Sequence, residues 1–272
     1  TRKMLASPMT RSALVATRHR IADDDARRIA PRLLRTSRRL REHRRLLGRA
    51  DLTESLDGDV VEPAELDRNL ADLARLGRLS GGVSASAAAI RRLAPAETDP
   101  TILDVGAGRG DMALAFASRG WRTVAVDAHP DVLAVARKQT AHEPLVEVLE
   151  GDGRALPYPD DAFDVSHCSL LLHHLDPADA VAALREMARV ARHGVVVNDL
   201  RRGLLPFVAT GVAVALLGRC RTTRVDGLAS VRRAYTLAEL DGLLALAGLV
   251  VRWRSLGFMP RVATAAVRRA GR

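Results

Sequence analysis

Residues 101 to 111 read Thr-Ile-Leu-Asp-Val-Gly-Ala-Gly-Arg-Gly-Asp, a short apolar strand that runs into three alternating glycines and then a helical pattern. Glycines at 106, 108 and 110 reach backbone angles closed to other residues. Lacking Cβ, they let a ligand lie directly against the main chain. A strand, a glycine loop and a helix in that order constrain the chain to an open α/β sheet whose first loop cradles a nucleotide-type ligand.

The residue after the loop narrows the ligand. A dinucleotide loop places a pyrophosphate on the amides at the helix start and needs a small residue there, whereas this chain has Asp111. A carboxylate suits a helix N-terminus but repels phosphate, and it can accept hydrogen bonds from an ammonium group. S-adenosylmethionine (SAM) meets these demands, with its ammonium, its sulfonium, its ribose and its adenine. Thr123 to Asp127 reads as the next buried strand and ends on a carboxylate at the spacing where ribose hydroxyls are received in a βαβ unit. Leu145 to Leu149 reads as a third strand, and Asp152 in the loop beyond it is placed to accept the adenine amino group.

With these pieces in order, the chain resembles the class I SAM-dependent methyltransferases, in the broad group that includes the ubiquinone and menaquinone biosynthesis methyltransferases. The matching residues are Asp104-Val-Gly-Ala-Gly-Arg-Gly-Asp111, Val126-Asp127, Gly151-Asp152-Gly153 with Leu156-Pro157 and Phe163-Asp164, Leu171-Leu-His-His-Leu175, and the run from Leu184 to Gly194. The resemblance spans about residues 95 to 267. It implies a Rossmann-like α/β fold, a seven-stranded sheet with helices on both faces, here with an N-terminal helical extension. It also implies SAM as methyl donor and S-adenosylhomocysteine as product. The candidate cofactor contacts on this reading are Asp104, Gly106, Ala107, Gly108, Asp111, Asp127, Ala128, Asp152, Gly153 and Leu170, with Asp104 equally suited to fixing the loop and Asp111 to starting the helix.

The chain is organised as a helical, Arg-rich segment (1–94) that extends and caps a SAM-binding domain (95–272), with an apolar lid at 203–235. Residues 1–50 hold 15 Lys or Arg against 4 Asp or Glu, which leaves 27 against 28 in the rest, so the net charge of +10 belongs to the N-terminus. Pro31 to Leu47 reads as an arginine-dense helix, with Met4 and Met9 as candidate start sites. Pro63 to Leu76 reads as an amphipathic helix with Leu66, Leu70 and Leu73 on one face. Ser80 to Ser86 reads as a turn before a short helix. Cys168 and Cys220 form no metal-spacing motif, no metal is expected, and the compartment is read as reducing and cytoplasmic.

The acceptor site is expected over the ends of the fourth and fifth strands, Phe163 to Leu170 and Val195 to Arg202. His173 and His174 are candidate general bases, and Asp199 is a candidate to orient a histidine or hold a hydroxyl. Asn198, Arg201, Arg202 and Tyr235 are candidate acceptor contacts, the arginines through their two-pronged donor face. Leu204 to Gly218 is apolar but shorter than the roughly 20 residues a membrane span needs, so it reads as a lid or buried helix. Leu249 to Leu256 and Val262 to Val267 read as a closing pair of strands. The function expected is methylation of a small, largely apolar phenolic, quinol or polyketide-like acceptor in bacterial secondary metabolism, oxygen ahead of carbon. Nucleic acid is not the expected partner; transient membrane-surface contact and a homodimer are compatible with the sequence. Two alternatives remain: an RNA methyltransferase gripping phosphates with the basic N-terminal helices, and a non-catalytic SAM-binding protein.

Overall fold

The computed structural model describes residue 49 and residues 63–218, 221–256 and 261–269. The predicted helix at Pro31–Leu47, most of the 1–62 segment and Cys220 lie outside the described residues. Two helices, α1 (Pro63–Leu79) and α2 (Gly82–Leu93), lead into the strand β1 (Ile102–Val105). Then come α3 (Asp111–Ala117), β2 (Thr123–Asp127), α4 (Pro130–Thr140), β3 (Val146–Glu150) and β4 (Phe163–Ser169). After a 3-10 turn at Leu172–His174 the chain forms α5 (Pro177–Val190), β5 (Ala191–Leu200), α6 (Leu204–Leu217) and α7 (Arg221–Arg233). It closes with α8 (Leu237–Leu246), β6 (Leu249–Leu256) and β7 (Arg261–Arg268).

The seven strands form one sheet in the order β3-β2-β1-β4-β5-β7-β6, parallel except for β7, which runs antiparallel between β5 and β6. The central strands are apolar without alternation because helices cover both faces: β1 is buried at every position. On one face Leu103, Val105, Leu184, Met187 and Leu243 pack between the sheet, α5 and α8. On the other, Ile90, Ile102, Phe116, Trp121, Val196 and Ala265 pack among the sheet, α2 and α3. The chain order reverses between β1 and β4, the switch point at which open sheets of this kind bind ligands.

Ser80–Ser86 departs from the expected turn. Only Ser80 and Gly81 turn, Gly81 at φ 73°, and α2 then starts at Gly82 with Ser84 and Ser86 inside it. Serine weakens helices by competing for their backbone. Here the Ser86 hydroxyl instead meets His167 Nε2 at 2.8 Å and accepts from Asn198 Nδ2 at 2.8 Å, so the competition is removed. Helix α8 begins as its sequence suggests: Thr236 accepts from the Glu239 amide and Glu239 reaches back to the Thr236 amide, a reciprocal cap.

Candidate functional site

A cavity of about 760 Å³ opens at the carboxyl ends of the strands. Its floor is the set of loops that follow β1, β2, β3 and β4. Its opposite wall comes from α1 (Leu70, Leu73, Leu76), α6 (Thr210, Ala213, Val214) and α7 (Thr223, Asp226, Ser230). That wall is tied together by hydrogen bonds from Thr223 to Asn69 and from Thr222 to Glu65, which join α7 to α1.

The glycine loop takes the shape its sequence demands. Gly106, Gly108 and Gly110 have φ of 66°, 57° and 82°, and the amides of Gly106 and Ala107 both donate to the Val126 carbonyl. A Cβ on Gly106 would lie 2.7 Å from Leu171 Cδ1, whereas one on Gly108 would meet no atom within 4 Å. Gly108 is therefore the point where the main chain faces open cavity. Asp127 caps the end of β2, with Oδ2 accepting from the Gly108 amide at 3.0 Å and Oδ1 from the His129 amide at 3.1 Å. Burial raises its carboxyl above the ordinary 3.8, and the amides of His129, Gly108 and Ala128 hold back part of that rise.

Asp104 is fully buried, with Oδ1 2.7 Å from His167 Nδ1. Its Oδ2 has no hydrogen-bond partner, and the residue lines the cavity. His167, a core strand residue, is thereby satisfied at both nitrogens, by Asp104 and Ser86. Asp152 lines the cavity and is gripped by Arg154, which also reaches Asp179. Asp111 lines it too, 3.5 Å from Arg109 Nε. Leu170 sits at φ 57°, a conformation that costs a residue with Cβ roughly 1–2 kcal/mol. Its amide donates to Asn198 O, and the strained turn aims it into the cavity.

The structure gathers every cofactor candidate, from Asp104 to Leu170, around this one cavity. The set fits SAM: a left-handed glycine with open space beyond it, a strand-end carboxylate at Asp127 for ribose hydroxyls, and acidic groups in place of phosphate ligands.

Of the acceptor-side candidates, His173 and His174 line the cavity, their ring centroids 4.2 Å apart. Asp199 lies behind His173, its Oδ1 2.6 Å from His173 Nδ1, and its oxygens also accept from the amides of Leu200 at 2.6 Å and His173 at 3.3 Å. Burial alone would raise the Asp199 carboxyl; the charge and hydrogen bond of His173, with the Leu200 amide and His174, bring it below its ordinary value instead. Asn198, Arg201, Arg202 and Tyr235 do not line the cavity. Asn198 is fully buried and donates to Gly82 O and Ser86 Oγ. Arg202 forks onto Glu239 at 2.7 and 2.9 Å, and the Tyr235 hydroxyl donates to Leu175 O at 2.7 Å. Asn198, Arg202 and Tyr235 were each drawn away by a partner distant in sequence, whereas Arg201 buries its Nε without a hydrogen-bond partner among the described residues. Arg261, which the sequence did not single out, lines the cavity instead.

A methyltransferase-domain model matches residues 102–194. Over 172 residues the chain is 38% identical to a demethylmenaquinone methyltransferase of Thermus thermophilus, a match covering 58% of this chain and 77% of that one. The chain belongs to the class I SAM-dependent methyltransferases. The family's methyl donor is SAM, and the site residues above are the ones that would hold it. A malonyl-[acyl-carrier protein] O-methyltransferase of Serratia marcescens is 39% identical over 97 residues, 35% of this chain and only 36% of that one. The sheet superposes on a SAM-dependent methyltransferase of Aquifex aeolicus with a TM-score of 0.54 at 18% identity, over 76% of this chain and 98% of the other, which is a likeness of fold. Among the described residues one trio, Glu97, Asp164 and His193, brings metal-ligating atoms together; it lies at the opposite end of the strands, with Arg192 already on Asp164. No helix among the described residues is long and apolar enough to cross a membrane.

Proposed function

We propose that this methyltransferase transfers the SAM methyl group to a hydroxyl of a small, largely apolar phenolic, quinol or polyketide-like acceptor, oxygen being preferred to carbon, in bacterial secondary metabolism. The observation that carries the reading is His173. Its Nδ1 is tied to a buried carboxylate, and its Nε2 is the ring atom left for the cavity. When bound, SAM supplies an electrophilic methyl on a sulfonium. The work left to the protein is to hold the acceptor oxygen in line and take one proton.

Asp199 fixes the His173 tautomer with its proton on Nδ1, so the Nε2 lone pair receives the acceptor proton and Asp199 stabilises the imidazolium that forms. His174, stacked against His173, orients the ring or contacts the donor. The leucine, valine and alanine wall from α1 and α6 keeps water out, which favours a reaction in which charge disappears from sulfur and nucleophile together. The Thermus and Serratia relatives act, by their names, on demethylmenaquinone and on a malonyl-[acyl-carrier protein], and a cavity of this size suits a small-molecule acceptor. The test is methyl transfer from isotopically labelled SAM across a series of phenols and hydroquinones. Labelled product from wild type and at least a hundredfold less from His173→Ala supports the reading; equal rates overturn the role of His173.

The membrane-surface contact has its own support. Helix α6 carries no charged residue and exposes Leu205, Val208, Val212 and Leu216 at helical spacing along one side. Its 14 residues reach about 21 Å, too short to cross a bilayer. Such a face lies on a surface, where it would admit an apolar acceptor. Co-sedimentation with phosphatidylglycerol vesicles that Leu216→Glu abolishes is the expected result; equal sedimentation of both proteins overturns it.

A further inference from the structure

Arg261 opens β7, paired with Leu200 at the end of β5, so it sits at the strand ends where the cavity lies, on the acceptor side of His173. It is 7% exposed. Its one hydrogen bond among the described residues runs from Nη1 to Asn198 Oδ1, a long 3.5 Å. Among the described residues no carboxylate forms an ion pair with it. The other arginines of the cavity are engaged: Arg109 with Asp67 and Asp111, Arg154 with Asp152 and Asp179. Arg261 is a buried cation whose remaining donors face a mostly apolar chamber.

The fold makes room for it deliberately. A Cβ on Gly82 would overlap Arg261 Nη1, and one on Gly77 would come to 3.6 Å of Nη2, so glycines of α1 and α2 shape the slot. Burial draws the guanidinium down to about 10, with the Asp199 charge opposing, and it stays charged at neutral pH. A desolvated charge without a carboxylate in direct contact costs the protein stability, a cost that a bound anion would offset. A second group points the same way: Thr210 Oγ1, also lining the cavity, is buried without a partner.

We propose that Arg261 anchors a carboxylate carried by the acceptor, so that the substrate is an apolar, hydroxylated body with one acid group. A carboxylate presents two oxygens in the plane that a guanidinium fork matches, and a neutral analogue would leave the buried charge unanswered. A lone arginine in an apolar wall fits a monoanion better than a phosphate dianion, which draws several donors. The inference rests on the methyltransferase reading above and assigns Arg261 to specificity rather than to the transfer step.

The test uses the full chain saturated with S-adenosylhomocysteine and titrates it calorimetrically with hydroxylated aromatic carboxylic acids of one, two and three rings, each matched with its carboxamide. At least one acid is expected to bind tenfold or more tighter than its amide. Arg261→Gln erases that preference, Arg261→Lys keeps part of it, and S-adenosylhomocysteine affinity is the same in all three proteins. Because the arginine has no ion pair among the described residues, Arg261→Gln is also expected to melt no lower than wild type. Cofactor product bound with no acid preferred over its amide overturns the proposal, as does a preference that survives in Arg261→Gln, or a lowered Tm in a variant that keeps it. A wild type that fails to bind S-adenosylhomocysteine overturns instead the methyltransferase reading underneath.

Discussion

His173 Nδ1 lies 2.6 Å from Asp199 Oδ1, and the two are 26 residues apart, one on the turn after β4 and the other at the end of β5. Parallel pairing of β4 with β5, Ser169 opposite Asn198, brings them together. The dyad is thus a product of sheet register: a slip of one residue would turn Asp199 to the other face.

Asp199→Asn keeps the side chain's shape and removes its charge. Methyl transfer is expected to fall by about 10²–10⁴, with S-adenosylhomocysteine affinity within about twofold. A steady-state assay beside a binding titration checks this, since a loss of both would mean that Asp199 holds the fold rather than the base.

The same carboxylate makes stability depend on pH. Burial works against its ionisation, but His173 and the Leu200 amide bring its folded value below the ordinary 3.8. The stabilisation is therefore present above that pH and lost as pH falls below it. Urea midpoints measured between pH 3 and 6 are expected to drop toward acid in wild type and to drop less in Asp199→Asn.

Gly106→Ala and Gly108→Ala separate packing from ligand access. Both glycines have left-handed backbones, but only at 106 does a methyl strike a side chain, Leu171. Gly106→Ala is expected to cost about 2–4 kcal/mol in denaturant unfolding. Gly108→Ala costs about 1–2 kcal/mol, and its larger effect is on S-adenosylhomocysteine, because the methyl stands in the cavity.

His167→Leu strands Asp104. The buried carboxylate loses the only hydrogen bond to its side chain among the described residues, and removing one partner of a buried pair costs about 3–5 kcal/mol. For a chain of this size that is a fall in Tm on the order of 10 °C, measurable by calorimetry.

Much of the fold was legible because the central strands are buried on both faces and so appear as unbroken apolar runs, with Gly106, Gly108 and Gly110 marking the loop between them. The cofactor candidates come together for a related reason: Asp127 ends β2 and Asp152 lies in the loop just after β3, so strand order sets both beside the glycine loop. The acceptor side was not so legible. Arg202 and Tyr235 emerge from the expected segments but are captured by Glu239 and Leu175 O, partners that only the packing of α8 and the turn at 172–174 supplies. Arg261 looks in sequence like one more arginine in an arginine-rich chain, and the glycines that house it are over 170 residues away. Helix α7 was equally hidden: Arg221–Arg233 shows little apolar periodicity, and it is held by packing on α6, where Gly227 lies against Val214.

The most direct measurement is calorimetric titration with S-adenosylhomocysteine of wild type and Asp127→Ala, repeated across pH. The wild type is expected to bind at micromolar concentration and Asp127→Ala at least tenfold more weakly. Because burial raises the Asp127 carboxyl, wild-type affinity should weaken on acidification starting above the ordinary carboxylate range. Equal affinity in the two proteins, or no binding by wild type, would contradict the assignment of this cavity to SAM.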